Sequence, residues 1–175
     1  MLNHHTRRLV LTLAAAAVLA VPLSGCGAVA EKAIEEATGG KVDIKDGGKD
    51  VKIKGPDGQE LEFGSGAKLP TDWPSDVPIP EGATILGSGS FSESGSEGAK
   101  NVSIETTQQP GALLESMKSS LESNGWTVKT ETSAAQGGTI AAEKGANPTR
   151  NVVVFVTGET DGKTVAAITV ANSSS

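Results

Sequence analysis

The stretch 101-NVSIETTQQPGALLESMKSSLESNGWTVKTET-132 holds two alternating runs on either side of one helical stripe. In the first run Val102, Ile104 and Thr106 oppose Ser103 and Glu105, the period of two that marks a half-buried strand. Pro110 suits a first helical turn, because its missing N–H would be unpaired there in any case. Leu113, Leu114, Met117 and Leu121 then recur at helical spacing, and Asn124-Gly125 supplies the stop. Trp126 and Val128 alternate against Lys129 and Glu131, so a second strand follows the helix.

Working outward, Ala83 to Phe91 reads as a strand and Glu93 to Gly98 as a polar turn. Beyond the helix, Gly138 to Glu143 and Thr164 to Ala171 are strands, the latter entered across the turn Thr160-Asp161-Gly162-Lys163. Asn151-Val152-Val153-Val154-Phe155-Val156 is apolar on both faces, as expected of a central strand. The order ββαββββ predicts an α+β domain over residues 69–172: an antiparallel sheet of about six strands with one helix on one face. About 100 residues are enough for a single core. Residues 173–175 form a disordered tail.

Upstream, Leu69-Pro70-Thr71-Asp72-Trp73-Pro74-Ser75-Asp76-Val77-Pro78-Ile79-Pro80 is too rich in proline for helix or interior strand. It reads as an extended entrance whose Trp73, Val77 and Ile79 lie over the core. Residues 41–68 hold three short alternating runs (41–45, 50–54 and 59–63) and a linker, which predicts a three-stranded meander preceding the main sheet. Its six apolar side chains, two per run, are too few for independent stability. Residues 26–40 form a tether, in which Val29, Ala33, Ile34 and Ala37 fall near one side of a short helix.

Residues 1–25 are of another kind. Arg7 and Arg8 precede the apolar run Leu9 to Val21, which is the charged region and core of a signal peptide. The run falls short of the roughly 20 residues that a membrane-spanning helix needs. Leu23-Ser24-Gly25-Cys26 follows directly and resembles the lipobox of lipoprotein signal peptidase: an aliphatic residue, two small ones and the cysteine that takes the lipid. Two or three acyl chains on Cys26, at about 0.8 kcal/mol per buried methylene, make a stable anchor. The expected location is therefore the extracytoplasmic face of the cell membrane. Thr6-Arg7-Arg8-Leu9-Val10-Leu11 resembles a twin-arginine signal without its usual phenylalanine and trailing lysine, which leaves the export route open.

Without the signal, 13 basic residues face 21 acidic ones, a net charge of −8. Phosphate backbones repel such a chain, so nucleic acid is not an expected partner, and the membrane is met through acyl chains rather than a basic patch. His4 and His5 leave with the signal and Cys26, the one cysteine, is acylated. The mature chain has no imidazole and no free thiol, which removes Ser-His-Asp and Cys-His catalysis and His/Cys metal sites.

The remaining motifs carry little. Ser65-Gly66-Ala67-Lys68 has the Ser-x-x-Lys spacing of penicillin-binding enzymes but sits among glycines, without the companion motifs. Residues 43–50 lack the register of a calcium loop. Gly87-Ser88-Gly89-Ser90 lacks the third glycine of a dinucleotide site. A hydrolytic carboxylate pair could be drawn from many acids, including Glu105, Glu131 and Glu143, yet Glu105 and Glu131 read as outward positions on half-buried strands. Trp73, Trp126, Phe91 and Phe155 read as core rather than as sugar platforms. No catalytic residue, metal ligand or cofactor is assigned.

The lipobox, the glycine-punctuated meander, the Leu-Pro-x-x-Trp-Pro-x-Asp-Val-Pro-x-Pro segment and the helix ending in Asn-Gly-Trp together resemble a group of small actinobacterial lipoproteins of uncharacterised function. The resemblance implies an exported, two-part protein and carries no activity. The expected function is a non-enzymatic envelope module that contacts another protein or the cell wall. The alternative is a small-ligand or lipid binder with a cavity between helix and sheet, where Ala141, Ala142, Ala166 and Ala167 would leave space.

Overall fold

The computed structural model describes residues 32, 35–36, 39–46, 49–55, 58–91, 98–134, 136–146 and 148–173. The signal peptide, the lipobox Leu23, Ser24, Gly25 and Cys26, and most of the tether lie outside these residues.

Among the described residues from 39 onward, nine strands and one helix follow in the order β1 (Lys41–Lys45), β2 (Asp50–Lys54), β3 (Glu60–Phe63), β4 (Thr84–Ser90), β5 (Lys100–Thr106), α1 (Pro110–Ser123), β6 (Thr127–Ala134), β7 (Gly137–Lys144), β8 (Thr149–Thr160) and β9 (Lys163–Ser173). All nine strands form one antiparallel sheet, in the order β1-β2-β3-β4-β5-β9-β8-β7-β6. Two meanders, β1 to β5 and β6 to β9, are thus joined along the single seam between β5 and β9.

This corrects the expectation of an α+β domain with a six-stranded sheet preceded by a meander of its own. The meander is the near half of the same sheet, because β3 pairs with β4 from Glu60↔Ser90 to Phe63↔Gly87. The physical reason lies on both partners. The meander is too small to stand alone, and β4 would otherwise be an open edge of unpaired amides. Glycine makes the join close-fitting. A Cβ at Gly87 would stand 2.9 Å from the Phe63 ring, and one at Gly89 would stand 2.7 Å from Leu61.

The helix lies where its apolar stripe placed it. Leu113, Leu114, Met117 and Leu121 are at most 2 % exposed and pack over β6, β7 and β8. Beneath and beside them, Val102, Ile104, Ile140, Val152, Val154 and Ile168 are fully buried. The proline-rich entrance is a chain of turns rather than an extended strand: Trp73, Val77 and Ala83 donate backbone amides to the carbonyls of Pro70, Pro74 and Pro80. It lays Val77 in the core, with Trp73 and Ile79 packed against it. β9 runs through Ser173, where the tail was expected to begin.

The helix ends in a six-residue backbone motif. The amide of Trp126 reaches the carbonyl of Leu121 at 3.0 Å, and that of Gly125 reaches Glu122 at 3.0 Å, with Gly125 at φ +82°. Leu121 and Trp126 meet in the core, the apolar contact that accompanies this stop. An added Cβ at Gly125 would have room, its nearest neighbours being the end of Lys144 at 3.7 Å, so the cost of substitution there is conformational. Gly125→Val is expected to destabilise the protein by more than about 1 kcal/mol. A urea titration with an unchanged midpoint would remove the assignment.

Candidate functional site

Two places on the molecule combine unusual chemistry with access: an ion cluster at one end of the sheet and the sheet face that α1 does not cover.

The cluster is centred on Asp76 in the entrance segment. Arg150, at the start of β8, donates from Nη1 to Asp76 Oδ1 at 3.0 Å and from Nη2 to Oδ2. Lys144, at the end of β7, donates to Asp76 Oδ2 at 2.7 Å and to the carbonyl of Asn124 at 2.6 Å, so one ammonium ties β7, the entrance and the C-terminal end of α1. Trp126 donates its indole N–H to the Asp76 carbonyl at 2.9 Å, and the Arg150 guanidinium stacks 5.0 Å from the centre of its ring. The guanidinium fork, with the neighbouring ammonium, holds the Asp76 carboxyl down at about 2. Arg150 is the only arginine after Arg8.

Beside this cluster an open cleft of about 200 Å³ lies between Asp72, Lys100, Arg150 and Asn172. Lys100 is paired there with Asp72 at 2.9 Å. The volume is below the roughly 300 Å³ at which small-molecule pockets begin. The donors already engage carboxylates of the chain itself, so the arrangement clamps the entrance segment to the sheet.

The second place follows from strand register, since directly paired residues project to the same face. On the α1 side the pairs Val152↔Val170, Val154↔Ile168 and Ile104↔Ala166 build the core. The opposite side carries the row Phe63, Gly87, Ser103, Ala167, Phe155 and, one pair along, the row Leu61, Gly89, Asn101, Thr169, Val153. Phe63 is 48 % exposed, Phe91 41 %, Val153 41 % and Phe155 51 %. The chain has three phenylalanines, and all three stand on this uncovered side.

Phe91 and Phe155 are therefore not core residues, in contrast to Trp126, which is 3 % exposed. Val153 and Phe155 do belong to a central strand, but its outer face is open. The floor between the aromatic groups is small and internally paired: the Asn101 amide donates to the Thr169 hydroxyl at 2.9 Å. Neither row contains a charged residue.

The residues singled out by sequence are dispersed. Glu105 pairs with Lys163 at 2.5 Å, Glu131 with Lys118 at 2.7 Å and Glu143 with Lys129 at 3.3 Å, each carboxylate on a strand of its own. The Ser65 hydroxyl donates to Asp50 at 3.1 Å, and the amide of Lys68 to Glu62, so Ser65 and Lys68 are engaged with different acids. Gly87 to Ser90 lies inside β4. Among the described residues no group of three or more His, Cys, Asp or Glu is arranged to hold a metal. Ala142 and Ala166 are buried on the α1 side, whereas Ala141 and Ala167 lie on the other face.

Sequence reasoning missed both places. Exposed phenylalanine looks like core phenylalanine in a one-dimensional pattern. The single arginine was a usable signal for the cluster, but its partner Asp76 is 74 residues away. The chain matches no protein-family model, and no curated protein matches it significantly.

Proposed function

We propose that the protein is an exported lipoprotein, anchored through acyl chains on Cys26 at the extracytoplasmic face of a bacterial cell membrane, and that it works without catalysis as an envelope interaction module. Its contact surface is the open face of the sheet. The observation that carries this reading is the placement of all three phenylalanines, with Val153, on the sheet face opposite α1, around two central rows that hold no charged residue. Large apolar groups gathered on one face mark a surface for association. The location rests on the signal peptide and lipobox, together with the resemblance to small actinobacterial lipoproteins. Among the described residues, no helix is long and apolar enough to cross a membrane.

The division of labour along the chain belongs to the same proposal. Residues 26–40 tether, 69–172 fold around the core and 41–68 extend the sheet. Every residue of the main buried cluster comes from positions 77 to 170.

Two measurements test the reading. Cys26→Ser is expected to lose incorporation of a palmitate analogue and to shift the protein from the membrane fraction, because serine offers no thiolate; labelling of the serine variant would defeat the anchor. A photo-crosslinking residue at position 155 is expected to give a covalent adduct in intact cells, whereas one at position 118, on α1, gives none. Absence of any adduct from 155 would defeat the contact surface.

A further inference from the structure

Given the reading that the open sheet face is the contact surface, we propose that its occupant is a second copy of this chain, so that two sheets pack face to face and complete a β-sandwich.

A sheet with one apolar face needs a second layer. On the α1 side that layer is the helix and the entrance segment. A helix of 14 residues is about 21 Å long and about 10 Å wide, whereas nine strands span about 38 Å. One helix cannot serve both faces of such a sheet. A second sheet, stacked about 10 Å away, supplies the missing layer in one step.

The face is also complementary to itself. Phe63 and Phe155 stand at its two sides, and between them lie the small residues Ser103 and Ala167. A two-fold axis brings the same patch to both partners, so each projecting ring of one copy meets the small floor of the other.

Charge selects this surface over the rest of the molecule. The mature chain carries a net −8, and the strands β1 to β3 alternate charged with apolar residues. On the opposite side of β1 to β3, for example, Lys45–Asp43, Lys52–Glu62 and Lys54–Glu60 form a lattice of ion pairs. Two like-charged copies approach at least cost where neither presents charge, and the two central rows of the open face meet that condition.

The size suits a dimer. From β2 to β7 the face is roughly 30 Å across the strands and 20 Å along them, about 600 Å² per copy. The total of about 1,200 Å² falls at the lower limit of stable specific interfaces. An acyl anchor would confine both copies to one membrane surface, and tethering of that kind converts a weak association into an effective one.

The mature polypeptide, residues 27–175 without acyl chains, contains every described residue and is the object of the test. Sedimentation velocity over roughly three decades of concentration is expected to show a monomer–dimer equilibrium. Phe155→Ser and Phe63→Ser, both at exposed positions, are each expected to weaken it tenfold or more, with far-ultraviolet dichroism unchanged; tenfold corresponds to about 1.4 kcal/mol. A monomer throughout the range overturns the proposal, as does a dimer indifferent to both substitutions. Co-sedimentation of a monomer with phosphatidylcholine vesicles, abolished by Phe155→Ser, overturns it in favour of a bilayer contact. In cells, a position-155 adduct to a different envelope protein, without a self-adduct, overturns the second copy while leaving the interaction module intact.

Discussion

Leu121→Ala is expected to lower the unfolding free energy by about 3 kcal/mol, the largest loss from any single truncation in the helix. Leu121 is 0 % exposed, and buried leucine-to-alanine changes cost about 2–5 kcal/mol through lost transfer energy and the cavity left behind. Two features place it above the lower part of that range. Its side chain packs in the cluster that Trp126 joins, and its carbonyl accepts the Trp126 amide that closes the helix end. A void here therefore loosens the cap as well as the core. In urea the midpoint should fall with the slope unchanged, since the same surface is exposed on unfolding. A loss under about 1 kcal/mol would mean that the site collapses around the smaller side chain and that the helix does not depend on it.

Asp76→Ala should be nearly as damaging, at about 2–3 kcal/mol. The substitution leaves Arg150 and Lys144, both partly buried, without the carboxylate they share, and stranding a cation is costlier than deleting a whole pair. It also frees the entrance segment from the sheet end. The wild-type protein should show the same bond in its acid response. The folded Asp76 carboxyl titrates at about 2, below the ordinary aspartate value of 3.8. A group whose folded pKa is depressed contributes stability that is complete above its unfolded value. That contribution is then lost as the pH falls through the folded one. Between about pH 4 and pH 2 the cluster should thus give up about 1–2 kcal/mol, the figure being reduced for its partial exposure to solvent. Stability curves of wild type and Asp76→Ala should converge over that interval. Parallel curves would show that the charge on the carboxylate contributes nothing to the fold.

What could be read in advance was local. The helix and its stop follow from Leu113, Leu114, Met117, Leu121 and Asn124-Gly125, because helical spacing and positive φ are properties of neighbouring residues. The β3–β4 pairing was not legible. Phe63 and Gly87 belong to runs separated by linker and proline-rich entrance, and short alternating strands advertise a buried side without naming the partner strand. The open face was hidden for a related reason. Val152, Val154 and Val156 differ from Val153 and Phe155 only in parity, and parity cannot tell which side a lone helix will cover. Likewise Asp76 looked like one more acid in a loop until the sheet brought Arg150 and Lys144 to it.

The seam between β5 and β9 governs how the chain finds this sheet. From Lys100↔Val170 to Thr106↔Thr164, its pairs join residues 58 to 70 positions apart. The β8–β9 hairpin, by contrast, closes over Asp161 and Gly162, whose φ values of 53° and 73° give a tight two-residue turn. Loop-closure entropy grows by about 0.6 kcal/mol with each doubling of length, so zipping the seam costs about 2–3 kcal/mol more than closing a hairpin. The seven other strand pairings join strands consecutive in sequence. The contact order of the molecule is concentrated in one line of hydrogen bonds, and the two meanders can each be assembled and wait for the other before that line closes.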